Sequence, residues 1–470
     1  MAYQTVNPYT NQVVQTYTNA TATQIEATLQ VTHALYKKWR QEEPASRTAV
    51  LHRIATLLRQ NKIELAKIVT IDMGKLLSEA KGEVELCAMI ADYFADHGPQ
   101  LLTATPLATQ ATGAAEVEKQ AVGVIMAVEP WNFPYYQIMR VFAPNYLVGN
   151  PMILKHASNT PGSAAAFEKL ILQAGAAKGS LVNLFLSYDQ VQTIIADPRI
   201  QGVALTGSKR GGQAVARAAG ENLKKSSMEL GGSDAFVVLS DADLDQAVEL
   251  AWRVRLYNAG QVCTSAKRFI VADNLYNEFL QRLQQQLATL HPGNPLDPQT
   301  TLAPLNSQRA KEKLEKQVQT AITGGAQVYY QFPEISLPGQ FFAPVILTDI
   351  APTNPVFYDE MFGPVIQVFA VHSDQEAIEL ANDSQLGLGG IVVSKDPQHG
   401  KTVAQKIETG MVFVNTFLSS LPELPFGGVK GSGYGRELSE LGLMAFVNEK
   451  LVVTAQKPDY QNPAGGLIVL

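Results

Sequence analysis

Apolar residues recur at helical spacing in the first part of the chain. Ile25, Leu29 and Trp39 follow one another near the helical period, and Thr21 and Gln24 precede them at the spacing of a capping box. This pattern predicts a helix that begins after Thr21. It stops at residues 103–119, a stretch rich in Thr and Ala with few large apolar side chains, which is typical of an exposed hairpin or arm.

From residue 122 the pattern changes to short apolar runs that alternate with helical stretches. The runs lie at residues 122–128, 152–154, 181–184, 202–205 and 235–239. Short apolar runs separated by helices are typical of parallel β-α units, so we predict an α/β fold with a doubly wound region over residues 122–240. The alternation continues to residue 430 and predicts a second α/β domain. A last apolar run at residues 451–454 predicts a strand, and we expect the Pro- and Gly-containing tail after it to be loose.

The composition is that of a globular protein with more than one core. Apolar residues make up 46% of the 470 positions and charged residues 17%, which suits roughly two to three domains. The net charge is −6, and no long run of either sign forms a tail or stripe. A nucleic-acid-binding protein is therefore not the class that this composition favours.

The two cysteines, Cys87 and Cys263, are too few for a disulfide framework or for a multi-cysteine metal site. We therefore expect no metal site, and we expect a reducing cytoplasm as the compartment. The first residues lack a cationic segment followed by an apolar stretch, and the apolar runs are far shorter than the ~20 residues of a membrane span. We expect neither a signal peptide nor a membrane anchor.

Two residues offer a nucleophile and a base. Cys263 lies among glycine and small polar residues, which suits a loop that presents a thiol, although a lone cysteine is more often structural. Glu229 lies between apolar neighbours and precedes two glycines, a setting that raises a carboxyl pKa toward that of a general base. A solvated glutamate at the end of a helix or strand is the alternative for Glu229.

Two further segments follow predicted strands. Trp131-Asn-Phe-Pro134 comes after the run at residues 122–128, where an Asn132 amide could donate to an oxyanion, unless the turn only packs against a helix. Thr206-Gly-Ser-Lys-Arg-Gly-Gly212 leads from a strand into a helix, which places backbone N–H groups where a phosphate could bind. Glycines at such turns are also common for steric reasons alone.

Seven motifs, taken in order, resemble those of the aldehyde dehydrogenase superfamily across essentially the whole chain. They are Trp131-Asn-Phe-Pro134, Lys155-His-Ala-Ser158, Thr206-Gly-Ser208, Met228-Glu-Leu-Gly-Gly232, Gly260-Gln-Val-Cys263, Glu360-Met-Phe-Gly-Pro364 and Pro425-Phe-Gly-Gly-Val-Lys430. Their shared order makes a chance match negligible. Within the superfamily the chain most resembles the succinate-semialdehyde dehydrogenases.

The resemblance implies a fold of three parts. These are a Rossmann-like NAD(P)-binding domain, an α/β catalytic domain that carries the cysteine, and a small β arm for oligomerisation. The cofactor-binding domain then corresponds to residues 1–102 and 122–231, and the catalytic domain to residues 232–430. Residues 103–121 and 447–458 correspond to the arm, so we expect a homodimer or homotetramer with no nucleic-acid or membrane partner.

The resemblance also implies roles for the catalytic residues. The Cys263 thiolate attacks the aldehyde carbon, and the Asn132 side chain and the Cys263 backbone N–H hold the resulting oxyanion. Loss of a hydride to the nicotinamide leaves a thioester, which water activated by Glu229 hydrolyses. Superfamily members that pass the acyl group to coenzyme A usually lack this glutamate, so Glu229 favours a free acid as the product.

Cofactor contacts are implied at eight positions. They are Trp131, Lys155, Ser158, Gly207, Ser208, Leu230, Glu360 and Phe362. Members that prefer NAD often carry a glutamate three residues after the lysine, and its charge would repel the 2′-phosphate of NADP. Neutral Ser158 stands at that position beside Lys155, so we expect NADP to be accepted and preferred over NAD.

Substrate selection is implied at Arg140 and Ser420. Both match positions at which succinate-semialdehyde dehydrogenases bind the distal carboxylate of the substrate, although without the resemblance Arg140 is better explained as a core-bridging or surface-paired arginine. Many of those enzymes carry a second arginine where this chain has Tyr257. Some carry a second cysteine at the position of Ser265, so a switch through that local disulfide is excluded here.

The resemblance thus implies an NAD(P)-dependent, NADP-preferring enzyme that oxidises succinate semialdehyde to succinate. A short-chain aldehyde dehydrogenase of broad specificity, in which Arg140 has a structural role, is the alternative within enzymes. A non-catalytic relative that serves as a binding protein is the alternative from another class. The presence of Cys263, Glu229 and Asn132 together argues against that last class.

Overall fold

The computed structural model describes residues 3–42 and 44–457. Its helices are α1 (Ala22–Trp39), α2 (Ala45–Gln60), α3 (Lys62–Met73), α4 (Leu77–Leu101), α5 (Tyr136–Val148), α6 (Pro161–Gln173), α7 (Tyr188–Ala196), α8 (Lys209–Glu221), α9 (Leu244–Leu256), α10 (Asp273–Ala288), α11 (Gln308–Thr323), α12 (Asp374–Asn382), α13 (Pro397–Ala404) and α14 (Ser439–Met444). The predicted capping box is present, because Thr21 accepts from the Gln24 N–H while Gln24 accepts from the Thr21 N–H. Within the described residues, no helix combines the length and apolar character needed to cross a bilayer.

Within the described ranges, the strands form two large sheets and three small ones. They are β1 (Tyr3–Val6), β2 (Val13–Tyr17), β3 (Thr105–Leu107), β4 (Ala114–Ala121), β5 (Val124–Val128), β6 (Met152–Lys155), β7 (Leu181–Asn183), β8 (Ile200–Thr206), β9 (Lys225–Glu229), β10 (Ala235–Val238), β11 (Arg268–Ala272), β12 (Gln327–Gln331), β13 (Val345–Thr348), β14 (Val365–Val371), β15 (Leu386–Gly387), β16 (Gly390–Val393), β17 (Phe413–Val414), β18 (Val429–Lys430), β19 (Gly433–Tyr434) and β20 (Val447–Thr454). The predicted α/β class is confirmed, because helices alternate with parallel strands in both large sheets.

The first large sheet has the strand order β19-β9-β8-β5-β6-β7. Its strands are parallel except β19, which runs antiparallel to β9. Strands β5 and β6 are apolar and buried because each sheet face is covered: α2, α4 and α5 contribute to the core on one face, and α7 and α8 to the core on the other. The carboxyl ends of β5, β8 and β9 lie side by side, which brings the segments that follow them together.

The second large sheet has the order β12-β13-β14-β11-β10-β16-β17 and is parallel except for the β12–β13 pair. The prediction that residues 235–239 belong to the first doubly wound region is wrong, because β10 pairs with β11 and β16 in this second sheet. A strand buried on both faces is a continuous apolar run in either sheet, so its sequence does not specify its partners. The domain boundaries that the resemblance implies stay predictions, and they leave out residues 431–446, which contain β19.

A separate antiparallel sheet has the order β20-β4-β3. β20 pairs with β4 along its whole length, from Val447 opposite Ala121 to Thr454 opposite Ala114. The strand expected at residues 451–454 is therefore present, and residues 105–107 and 114–121 form the expected hairpin. Residue 458 of the predicted arm and the tail after it lie outside the described residues. The role of this sheet in oligomerisation stays a prediction.

Candidate active site

Two cavities meet at Cys263. One, of about 390 Å³, lies at the carboxyl ends of β5, β8 and β9 and is bounded on its other side by α11. The other, of about 310 Å³, lies between α5 and the loop of residues 417–421. Cys263 and Gln137 line both cavities. Two small molecules, one in each cavity, can therefore both contact the thiol, and sites of this kind at strand ends are where α/β proteins bind ligands.

The chain turns sharply just before Cys263. One turn of 3₁₀ helix, Tyr257–Gly260, follows α9, and within it Asn258 and Ala259 have φ values of 52° and 51°. Non-glycine residues rarely adopt this left-handed conformation, which costs about 1–3 kcal/mol and persists only where surrounding contacts impose it. Lys267 Nζ helps to fix the loop by donating to the Cys263 carbonyl at 2.6 Å.

The Cys263 thiol is protonated near neutral pH in the structure as it stands. Burial raises its pKa to about 11, and the cations of Lys267 and Arg140 oppose that rise. Because the thiolate is the nucleophile, a base has to remove this proton before Cys263 can attack a carbonyl.

The Asn132 side chain is held in one orientation. Gln137 Nε2 donates to Asn132 Oδ1 at 3.0 Å, and Asn132 Nδ2 donates to the Gln261 carbonyl at 3.1 Å. The second N–H of the Asn132 amide remains available for a ligand, and Asn132 lines the same cavity as Cys263. This arrangement suits a preorganised donor to an oxyanion.

Glu229 ends β9 in a buried position. Neither of its carboxyl oxygens has a hydrogen-bond partner among the described residues. Burial raises its pKa well above the ordinary value, the nearby Glu437 carboxyl raises it further, and the Arg140 cation opposes both effects. Gly427 lets the backbone pass close by, because a Cβ at that position would lie 2.7 Å from Glu229 Oε1. Burial and a raised pKa are the environment of a candidate general base.

Arg140 lies inside the protein at 1% exposure. Its guanidinium forms an ion pair with Glu437 and donates to Thr206 Oγ1 at 2.9 Å and to Tyr136 Oη at 3.2 Å. It lines the second cavity, as a residue that binds the substrate must, yet it already has an internal carboxylate partner. The binding of a substrate carboxylate by Arg140 stays a prediction. Sequence reasoning missed Glu437, because no local pattern links it to Arg140.

Tyr136 and Ser420 bring two hydroxyl groups to the wall of the second cavity. Burial raises the pKa of Tyr136 to about 12. Tyr136 therefore keeps its proton and can serve as a donor while it accepts from Arg140. Much of the rest of the wall is aromatic, with Tyr257 stacked on Phe133 at a centroid distance of 5.9 Å. Sequence reasoning predicted Ser420 and missed Tyr136, which only its position on the inner face of α5 identifies.

Six of the predicted cofactor residues line the first cavity together. They are Trp131, Gly207, Ser208, Leu230, Glu360 and Phe362. Ser208 caps the N-terminus of α8 by accepting from the Gly211 N–H, so this helix begins at the wall of the cavity. Glu360 accepts from the Gly232 N–H at 3.1 Å and lies 3.4 Å from Lys267 Nζ. A Cβ at Gly231 would displace the Glu360 carboxyl from this position.

The other two predicted cofactor residues, Lys155 and Ser158, lie beyond this cavity, at and just after the end of β6. Lys155 Nζ donates to the His156 carbonyl at 2.9 Å, and burial lowers the Lys155 pKa to about 8. The Ser158 carbonyl accepts from the Gln4 N–H at 3.0 Å. β6 is the neighbour of β5 in the sheet, so a ligand that extends from the first cavity along the strand ends passes toward Lys155.

Three polar residues on α11 line the first cavity and were missed from the sequence. Arg309, Lys313 and Gln317 follow one another at four-residue spacing and so share one helix face. That spacing is visible in the sequence, but a solvated helix face has the same pattern. In residues 3–42 and 44–457, no cluster of three or more His, Cys, Asp or Glu side chains is arranged to hold a metal ion.

Comparison with known proteins agrees with the resemblance over nearly the whole chain. The profile of the aldehyde dehydrogenase family matches residues 1–452. The NADP(+) succinate-semialdehyde dehydrogenase of Deinococcus radiodurans is 45% identical over 459 residues, which cover 97% of this chain and 96% of that protein.

Solved structures with the same fold carry either nicotinamide cofactor. Succinic semialdehyde dehydrogenase from Streptococcus pyogenes, in complex with NADP+, is 55% identical with a TM-score of 0.95, and the match covers 97% of this chain and 100% of that chain. Betaine aldehyde dehydrogenase from Staphylococcus aureus, in complex with NAD+, is 28% identical with a TM-score of 0.94, and the match covers 99% of this chain and 94% of that chain. The predicted fold and superfamily are confirmed: the chain belongs to the aldehyde dehydrogenase family and is an oxidoreductase.

Proposed function

We propose that this protein oxidises succinate semialdehyde to succinate and prefers NADP over NAD. The observation that carries the proposal is the position of Cys263 at the junction of two cavities, one with the predicted cofactor residues and one with polar hydroxyls beside Arg140. The relatives named for succinate semialdehyde and NADP support the choice of substrate and cofactor.

The first step is attack of Cys263 Sγ on the aldehyde carbon. Glu229, whose raised pKa makes it a stronger base than an ordinary carboxylate, takes the thiol proton directly or through water. The carbonyl oxygen gains the negative charge, and the free Asn132 N–H and the Cys263 backbone N–H donate to it. Asn132 does not need to reorient for this role, because Gln137 and Gln261 already fix its amide.

The residues of the first cavity fit a nicotinamide dinucleotide. The α8 N-terminus at Ser208 suits the pyrophosphate, Glu360 suits the hydroxyls of the nicotinamide ribose, and the Trp131 and Phe362 rings suit the nicotinamide face. A cofactor bound there supplies the acceptor for the hydride that the substrate carbon loses. We expect Lys155 and Ser158, at and just after the end of β6, to meet the adenosine ribose, and neither carries a negative charge that would repel a 2′-phosphate.

The second step is hydrolysis of the acyl group that remains on Cys263 as a thioester. Glu229 first releases the thiol proton to solvent, and it then accepts a proton from water as the water oxygen attacks the acyl carbon. The C–S bond then breaks, and the acid leaves while Cys263 is regenerated. The Arg140–Glu437 pair acts on the Glu229 pKa in both directions, because the Glu437 carboxyl raises it and the Arg140 cation lowers it.

Tyr136, Ser420 and Arg140 would bind the distal carboxylate of the substrate. The Tyr136 and Ser420 hydroxyls donate to the carboxylate, and Arg140 supplies positive potential through its contact with Tyr136 Oη. This mode of binding differs from a direct bidentate contact between Arg140 and the carboxylate, because the Arg140 guanidinium is already paired with Glu437.

The Arg140–Glu437 ion pair also favours a second candidate function, oxidation of short aldehydes with broad specificity. In that case Arg140 has a structural role, and the mostly apolar wall of the second cavity decides which aldehydes enter. The two candidates share every catalytic residue and differ only in whether a terminal carboxylate is recognised.

The first test is an initial-rate comparison of succinate semialdehyde with butyraldehyde, each with NADP and with NAD, followed by absorbance of the reduced cofactor. We expect kcat/KM to favour succinate semialdehyde by about tenfold or more, which is about 1.4 kcal/mol in the transition state. Tyr136→Phe and Ser420→Ala are expected to remove that preference and to leave butyraldehyde kinetics unchanged.

Arg140→Ala is a poor test of substrate binding, since it would leave Glu437 buried without its cation and slow both substrates. Equal kcat/KM values for the two aldehydes in the unaltered protein would replace the first candidate with the second. No oxidation of either aldehyde would contradict both.

The Lys155 pKa of about 8 predicts a pH dependence of cofactor choice. Below that pH Lys155 is an ammonium ion and attracts the 2′-phosphate of NADP, whereas above it the free enzyme loses this charge. We expect KM for NADP to rise by up to about tenfold per pH unit above about pH 8, and KM for NAD to stay nearly flat. Lys155→Met is expected to abolish the difference. A ratio of the two KM values that does not change between about pH 7 and about pH 9.5 would count against Lys155 as the phosphate-binding residue.

The β20–β4–β3 sheet supports self-association as a homo-oligomer. β20 is an edge strand whose Leu451 and Val453 are 59% and 48% exposed, and a second copy of the chain could cover them. The two free cysteines are consistent with a reducing cytoplasm as the compartment.

A further inference from the structure

Two glutamates of α4 point toward the catalytic segments. Glu79 and Glu83 are four residues apart, so they lie on one face of the helix. Neither is among the residues that line the two cavities at Cys263, and neither has a role in the steps above. Each nevertheless accepts hydrogen bonds from a segment that carries a catalytic side chain.

Glu79 holds the turn that precedes Cys263. Its Oε1 accepts from the backbone N–H of Asn258 at 2.9 Å, at the start of the left-handed pair of residues. The Asn258 side chain in turn donates to the Asn132 carbonyl at 3.0 Å and to the Gln261 carbonyl at 3.2 Å. The Gln261 carbonyl also accepts from Asn132 Nδ2. Glu79 Oε1 therefore holds Asn258, the residue through which the Cys263 loop is hydrogen-bonded to the Asn132 segment.

Glu83 holds the segment that follows Asn132. Its Oε1 accepts from the N–H groups of Tyr135 and Tyr136 at 2.8 and 3.2 Å, which begin α5. Its Oε2 accepts from Lys75 Nζ at 2.5 Å, and both side chains of this ion pair are shielded from solvent. The position is favourable for an anion because it lies at a helix N-terminus.

An internal charge pair and a left-handed turn are costly ways to stabilise a fold. A shielded ion pair is often no more stabilising than apolar residues of the same volume. Burial raises the Glu79 pKa to about 7, which shows that its surroundings disfavour the ionised carboxyl. These contacts therefore contribute more to the geometry of the catalytic segments than to the stability of the fold.

We propose that Glu79, together with Glu83, is a positioning residue that sets the distance between the Asn132 amide and Cys263 Sγ. The proposal rests on the roles of Asn132 and Cys263 given under the proposed function. Both catalytic segments are fixed to one rigid helix, so a carbonyl attacked by Cys263 meets the Asn132 donor without further reorganisation. A misplacement of about 1 Å in such a site can lower the rate by about 100-fold.

The test compares two substitutions of nearly equal volume. Glu79→Met removes the acceptor for the Asn258 N–H, whereas Glu79→Gln keeps an oxygen at the same place. We expect Glu79→Met to lower kcat by about tenfold to 100-fold with KM for NADP changed by less than about twofold, and Glu79→Gln to retain kcat within about threefold. Glu79→Asp, which withdraws the acceptor, is expected to give an intermediate kcat, and it serves if Glu79→Met does not fold.

Glu85 provides the control on the same helix. It is partly exposed and forms ion pairs with Arg59 and Lys62, away from the catalytic segments. Glu85→Gln is expected to leave kcat and both KM values unchanged. A loss of kcat in Glu85→Gln equal to that in Glu79→Met would show a general effect on α4 and would overturn the proposal.

A double-mutant cycle separates positioning from general damage. If Glu79 acts through the Asn132 donor, Glu79→Met is expected to lower kcat by less than about twofold in an Asn132→Ala background. Equal losses in both backgrounds would overturn the proposal, as would a kcat for Glu79→Met within about twofold of the unaltered protein.

Alkylation of Cys263 by iodoacetamide gives a readout that does not depend on aldehyde oxidation. We expect its rate to change in Glu79→Met and to be restored in Glu79→Gln, because the loop that carries the thiol moves in the first variant only. If the protein oxidised no aldehyde but the alkylation rates followed this pattern, the proposed function would fail and the positioning role of Glu79 would stand. Unchanged alkylation together with unchanged kcat would reject the positioning role alone.

Discussion

Replacing Cys263 with alanine is expected to lower kcat for aldehyde oxidation by roughly four to six orders of magnitude, the range found when a catalytic nucleophile is removed. Cys263 is the sulfur at the junction of the two cavities, and Cys87, the other cysteine, lies fully buried within the helical core. Initial rates with NADP and either aldehyde measure the loss. Binding of NADP, followed by protein fluorescence, is expected to change little.

Cys87→Ala is the matched control for that substitution. It removes the same atom from a position that faces neither cavity, so we expect reduced stability with kcat retained within about twofold. Activity that survives in Cys263→Ala and disappears in Cys87→Ala would contradict the mechanism.

Glu229→Gln is expected to separate the two halves of the reaction. The amide cannot accept a proton from water, so the thioester on Cys263 should accumulate and the steady-state rate should fall by about 100-fold to 10,000-fold. Water can replace Glu229 as the acceptor of the Cys263 proton, but less effectively, so rapid mixing with succinate semialdehyde and NADP should show reduced cofactor formed once per active site at a lowered rate. Turnover after this first event should be slower still. Mass spectrometry of the quenched protein should detect the acyl group on Cys263.

The pH profile provides a second measurement on Glu229. Burial raises its pKa, so the fraction of active base, and with it kcat, is expected to increase as pH rises through that pKa. The increase should be absent in Glu229→Gln. A variant that hydrolyses the thioester at the normal rate, or keeps the same pH profile, would assign the hydrolytic base to another residue.

Short motifs allowed the catalytic centre to be predicted because its residues follow strand ends directly. Asn132 follows β5 and Glu229 ends β9, and parallel neighbours in one sheet bring such positions together. The cofactor turn at Gly207 and Ser208 follows β8 for the same reason. In each case the sequence next to the functional residue also specifies the strand that positions it.

The partners of these residues were not predictable in the same way. Glu437 meets Arg140, and Glu79 meets Asn258, across long separations in the sequence that no local period encodes. A charged residue that is buried in an ion pair cannot be distinguished, from the sequence alone, from a charged residue on the surface. The assignment of β10 to the wrong sheet has a related cause, because backbone pairing leaves little trace in an apolar run.

The pairing of β19 with β9 bears on how the chain folds during synthesis. β9 is made before the strands of the second sheet, whereas β19 and Glu437 are made after them. The first sheet therefore lacks its edge strand, and Arg140 lacks its carboxylate, until ribosomes have passed through the second sheet. A nascent chain of intermediate length already contains Cys263 and Glu229. The environment of these residues is complete only when the later segment with β19 and Glu437 folds against the first sheet.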